Sequence, residues 1–112
     1  MATRTAATGG VVSLGDGDVE AAVGDSRVAL VAFYTEWCGA CERTKPLLED
    51  LAEDTDATIL TVDIESNLET AIEYGARSTP TFVLFVDGRP VKQLRGGQNE
   101  RTLRDLIAEY RD

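Results

Sequence analysis

Two cysteines three positions apart, Cys38 and Cys41, are the only thiols in this 112-residue chain, and they follow directly on the apolar run Val28 to Tyr34 within Trp37-Cys38-Gly39-Ala40-Cys41. A strand that ends in Cys-x-x-Cys and passes into a helix sets both thiols at the positive end of a helix dipole, where a thiolate is stabilised. On one helical turn their Cα atoms lie about 5 Å apart, inside the span of about 4.4–6.8 Å that a disulfide bridges. The pair can therefore close and reopen with little backbone motion and exchange electrons with a disulfide elsewhere. A bridge over so short a loop removes little unfolded-state entropy, so a structural staple is a poor use of it. Half a zinc site is the plainer alternative. Zinc takes four ligands, and with no histidine and no third cysteine a metal would need carboxylates or a second subunit. No metal is expected.

The rest of the chain must position this dithiol. With 43% hydrophobic residues in 112, it reads as one domain large enough to bury about two-thirds of its unfolded surface without staples, which leaves the cysteines free to work. Residues 1–10 combine Ala, Thr and Gly with one Arg, lack the apolar segment of a signal peptide, and are expected to form a flexible tail before a domain at 11–112. No apolar run approaches the about 20 residues that span a bilayer, so a soluble, cytoplasmic protein is expected, in a compartment where Cys-x-x-Cys is more often catalytic than structural.

Val11 to Leu14 predicts a short strand, and Gly15-Asp16-Gly17-Asp18 a turn that caps a helix over Val19 to Val23. Arg27 to Tyr34 is apolar nearly throughout, as in a strand buried on both faces. After the cysteines, Leu47, Leu48, Leu51 and Ala52 recur at helical spacing, with Pro46 expected to kink that helix rather than end it. Ala57 to Ile64 predicts a second buried strand, and Asn67 to Tyr74 a helix ended by Gly75. Thr81 to Val86 and Val91 to Leu94 flank Asp87-Gly88-Arg89 as a hairpin, and Leu103, Leu106, Ile107 and Tyr110 share one face of a last helix. The order, with right-handed crossovers, predicts an α/β fold: a mixed sheet with helices on both faces.

Several separate landmarks now resemble the thioredoxin family over about Val11 to Tyr110. Phe33 and Trp37-Cys38-Gly39-x-Cys41 match its active-site strand and loop, and Pro46 the proline of the following helix. Tyr74-Gly75-x-Arg77-Ser78-Thr79-Pro80-Thr81 matches the segment of its cis-proline, while Gly88 and Gly96 match its hairpin and last-strand glycines. The resemblance implies a thioredoxin fold, with a central mixed five-stranded sheet flanked by four helices on both faces. It implies protein-disulfide reduction with no cofactor beyond the Cys38–Cys41 disulfide, disulfide-containing protein substrates, a thioredoxin reductase as electron donor, and a monomer. Cys38 is then the nucleophile that forms a mixed disulfide, and Cys41 the thiol that resolves it. Trp37, Gly39, Ala40, Gly75, Pro80 and Gly96 would line the substrate surface, with the backbone of Thr79 pairing like an added strand. Plainer readings exist: Gly75 as a helix cap, Gly96 as relief in the last strand, Trp37 as core.

This chain also departs from the family. Ala40 stands where the commonest motif has proline, which points towards a less reducing couple. The family's buried aspartate falls at Ala32 and its lysine partner at Thr61, so both members of a charge pair are missing together. Either charge alone would cost about 3–5 kcal/mol, which makes the joint loss coherent. Cys41 then lacks its usual base, and water or a nearby carboxylate is expected to serve; Glu36, the only acid in the loop before the cysteines, is the candidate, although a solvated loop charge is its bland reading.

Net charge is −9, and it is uneven: −3 over residues 1–41, −8 over 42–73 and +2 over 74–112. Nucleic acid is excluded as a partner, because phosphate binding needs a basic surface. Nine arginines against two lysines, with the acid excess, suit a protein from a halophile, where screening relieves self-repulsion. Two other functions stay open: a disulfide oxidase or isomerase, and a binding or metal-carrying module. A couple at about −270 mV separates the reductase from oxidants at about −180 to −120 mV.

Overall fold

Because Val28–Tyr34 is apolar at nearly every position, it can be covered on both faces, and in the computed structural model, which describes residues 6–8, 10–15 and 17–110, it is the central strand. The elements run β1 (Ala6–Thr8), β2 (Val11–Leu14), α1 (Val19–Gly24), β3 (Val28–Tyr34), α2 (Gly39–Asp54) and β4 (Thr58–Asp63). They continue with α3 (Leu68–Glu73), β5 (Thr81–Val86), β6 (Arg89–Arg95) and α4 (Glu100–Glu109). The sheet order is β1-β2-β4-β3-β5-β6; β2, β4 and β3 are mutually parallel, while β5, β6 and β1 run antiparallel to their neighbours. The five strands expected are β2 to β6, and the four helices are all present. The three-residue edge strand β1 is an addition, lying within the stretch read as a tail; the remainder of that stretch, Gly10 aside, is outside the described residues.

Alternation along β3 divides the core. Ala29, Val31 and Phe33 face one way and pack with Val19 and Val23 of α1 and Ala71 of α3. Val28, Leu30 and Ala32 face the other way, against Leu48 and Leu51 of α2 and Leu103, Leu106 and Ile107 of α4. Period-2 strands against period-3.6 helices thus build a three-layer sandwich with a cluster on each face. Tyr74 ties α3 to the sheet, its ring 5.4 Å from Phe85 in an edge-on contact and 6.1 Å from Phe33.

Local chemistry sets the element ends. α3 closes in a Schellman motif: the N–H of Ala76 donates to the carbonyl of Ala71 at 2.8 Å and that of Gly75 to Ile72 at 3.2 Å, with Gly75 at φ 69°. Asp87 and Gly88 both have positive φ, 52° and 83°, as a two-residue hairpin turn demands. β6 therefore starts at Arg89, two residues before the expected Val91. Pro90 is accommodated because β6 is an exposed edge and the ladder is irregular at Leu84/Phe85. Pro46 lies inside α2, which continues unbroken to Asp54.

Candidate active site

The turn from β3 into α2 places the dithiol. Cys38 is the N-cap of α2, with extended backbone (φ −105°, ψ 110°), and its Sγ accepts a hydrogen bond from the N–H of Cys41 at 3.1 Å. A sulfur at this position faces the free N–H groups of a 16-residue helix, the setting in which negative charge on sulfur is favoured. Cys41, one turn on, is buried at 4% exposure, whereas Cys38 is only partly covered. The two are joined as a disulfide with Cα atoms 5.1 Å apart, the separation that helical spacing gives. Of the pair, the outer sulfur is the one a substrate can reach.

Around it lie the residues expected to line a substrate surface. Trp37 is 85% exposed, which answers the reading of it as core. The Thr79–Pro80 peptide is cis, and Pro80 is buried against the same cavity wall as Cys41. The N–H of Gly96 donates to the Pro80 carbonyl at 2.7 Å, so Gly96, at φ 84°, is fastened to the Pro80 loop. Gly97, which the motif reading passed over, sits against Ala40: a Cβ there would be 3.7 Å from that of Ala40. Gly75 is accounted for by helix termination, with the Gln93 amide donating to the carbonyls of Tyr74 and Gly75. Glu36 is exposed in the loop before Trp37.

Beneath the disulfide is a cavity of about 290 Å³. Ala32 and Thr61, directly opposite one another in the β3–β4 register, form its floor with Ser13, whose hydroxyl hydrogen-bonds that of Thr61 at 3.2 Å. Cys41, Thr44, Lys45, Leu48 and Glu49 supply the α2 wall. No buried charge stands at Ala32 or Thr61. Sequence reading overlooked Lys45 and Glu49, although their spacing of four and eight from Cys41 puts them on its side of the helix. Lys45 is held to Glu42 at 2.9 Å, and that hydrogen bond raises its pKa. Burial raises the pKa of Tyr34, which also borders the cavity, with a smaller contribution from Asp63. Among the described residues no group of three or more His, Cys, Asp or Glu side chains could hold a metal.

A redox dithiol at a strand–helix junction, capping the helix beside a cis-proline loop, defines a class: the dithiol–disulfide oxidoreductases. The sequence model of the Thioredoxin family matches residues 10–109, and the chain belongs to the thioredoxin family. It is 37% identical over 102 residues to the thioredoxin of Staphylococcus epidermidis, covering 89% of this chain and 97% of that one. Its fold is similar to that of a mutant thioredoxin from Halobacterium salinarum NRC-1, with TM-score 0.88, 38% identity and 96% of both chains covered. It is similar also to reduced Schistosoma mansoni thioredoxin pre-protein, with TM-score 0.83, 30% identity, and 89% of this chain and 97% of that one covered. The chain is thus a thioredoxin-like protein-disulfide reductase, of a family that acts on disulfide-containing proteins and is recharged by thioredoxin reductase.

Proposed function

We propose that Cys38 attacks the substrate disulfide and Cys41 resolves the product. The observation that carries this assignment is the unequal placement of the two sulfurs, one capping α2 at the surface and the other 4% exposed beneath it. Attack by the Cys38 thiolate forms a bond to one substrate sulfur and releases the other as a thiolate. Cys41 then attacks Cys38, the Cys38–Cys41 bond forms, and the second substrate sulfur leaves. Trp37, Gly39, Ala40, Thr79, Pro80 and Gly96 make the docking surface, supported by the exposure of Trp37 and the bond between Gly96 and Pro80. Gly75 belongs to that set on the resemblance alone.

The protein works as a cytoplasmic monomer. No described helix is long and apolar enough to cross a membrane. The acidic middle of the chain further suits it to concentrated salt. The roles of the two thiols are tested with insulin as disulfide substrate. Cys41→Ser should accumulate a stable mixed disulfide visible by mass spectrometry, and Cys38→Ser should reduce nothing; trapping by Cys38→Ser instead would reverse the assignment.

A further inference from the structure

Resolution requires the Cys41 thiol to lose its proton, yet the residues packed about it include no buried base. Ala32, Thr44, Leu48, Thr61 and Pro80 share the cavity wall with Cys41, and none can accept a proton at neutral pH. The cavity itself offers the exit. At about 290 Å³ it has room for on the order of ten waters at about 30 Å³ each, and the hydroxyls of Ser13, Thr61 and Thr44 give such waters partners.

Each element against the cavity can be asked for an acceptor. β2 and β4 contribute hydroxyls, and the loop before β5 contributes Pro80. From β3 comes Tyr34, whose proton is held more tightly by burial and by the nearby charge of Asp63, with a smaller opposing effect of Lys45 and a further small contribution from Glu36. From α2 come Lys45, kept as an ammonium by Glu42, and Glu49. Among the described residues Glu49 is the one carboxylate in the lining; Glu36 is not part of it.

We propose that this cavity is the proton exit of Cys41 and that Glu49 is the relay residue at its end, the part expected of Glu36. The proposal rests on Cys41 as the resolving thiol. In the step, the Cys41 proton passes through cavity water to the Glu49 carboxylate. The Cys41 sulfur then bonds to Cys38, the bond from Cys38 to the substrate sulfur breaks, and that sulfur departs with the electron pair and takes a proton from solvent. Glu49 returns its proton to bulk water through its exposed side. Lys45, four residues from Cys41 on the same helix, also lines the cavity, with its ammonium held by Glu42.

The reduced protein mixed with 5,5′-dithiobis(2-nitrobenzoic acid) in stopped flow separates the steps, since attack by Cys38 releases the first coloured thiolate and resolution by Cys41 the second. Glu49→Gln should slow the second phase about tenfold at pH 7, below the about 10²–10⁴-fold of a base in direct contact, since water carries the proton between them. It should leave the first phase unchanged, and the deficit should fade as pH passes the ordinary thiol pKa of about 8.5. Glu49→Asp should restore much of the rate, Ala32→Leu, which narrows the cavity at its floor beside Thr61, should reproduce the loss, and Glu36→Gln should be silent. A second phase in Glu49→Gln with the wild-type rate and pH profile would overturn the relay. Loss of the first phase in Cys38→Ser is expected, and its survival there with loss in Cys41→Ser would instead overturn the order of the thiols on which the relay rests.

Discussion

At the scale of single residues, chemistry is divided between a reachable sulfur and a covered one. Trp37 stands beside the first as an almost fully exposed indole, so its removal exposes no core. Trp37→Ala should change stability by no more than about 0.5 kcal/mol, as surface substitutions do, while raising KM for insulin reduction. Equal KM in the variant would remove Trp37 from the docking surface. The dithiol was legible from spacing alone, because i, i+3 positions on a helix have a fixed separation, whereas the order of action proposed for its thiols came only with the family resemblance. The cavity under Cys41 was not, for it is assembled from positions 13, 32, 41, 61 and 80, which only the sheet register and the packing of α2 bring together. Two absences, Ala32 and Thr61, were visible in the sequence; the space they leave and the carboxylate at its edge were not.

Elements hold these residues through packing rather than through links near the site. Leu51, fully buried on α2 against β3 and α4, anchors the helix that Cys38 caps. Leu51→Ala should cost about 2–5 kcal/mol, the range for deleting a core leucine, read from chemical denaturation. Gly75→Ala should cost about 1–2 kcal/mol, since only glycine reaches the left-handed conformation of the α3 Schellman motif without strain. A neutral result would mean that α3 ends in another way. β3, α2 and α4 were readable because their apolar periods are long and unbroken. β6 was read too short, since Arg89-Pro90 looks like loop and only pairing with Val86 and Phe85 across the Asp87-Gly88 turn makes it strand. Cluster membership likewise had to wait for the fold, because a strand apolar at every position does not say which face meets which helix.

Over the whole molecule, charge and titration govern stability. With net −9, and −8 of net charge in residues 42–73, self-repulsion should be relieved by ions. The melting temperature should climb from about 0.1 M to about 2 M sodium chloride, as the Debye length falls from about 10 Å to below about 3 Å; a flat response would remove the case for adaptation to high salt. The pKa values of Tyr34 and Tyr74 are both raised, burial being the largest cause in each. A phenol whose folded pKa exceeds its unfolded value of about 10 contributes stability fully below that value and loses it as pH rises through the folded pKa. Unfolding should therefore become easier above about pH 10, with Tyr34→Phe flattening that limb, and identical alkaline profiles would show that its burial carries no such linkage. The central claim is a dithiol that gives electrons to protein disulfides. Its most direct test is an equilibrium redox titration of Cys38 and Cys41 against glutathione or dithiothreitol. A two-electron midpoint more negative than about −220 mV, towards thioredoxin's about −270 mV, is predicted, and one less negative, towards the about −180 to −120 mV of disulfide oxidants, would contradict it.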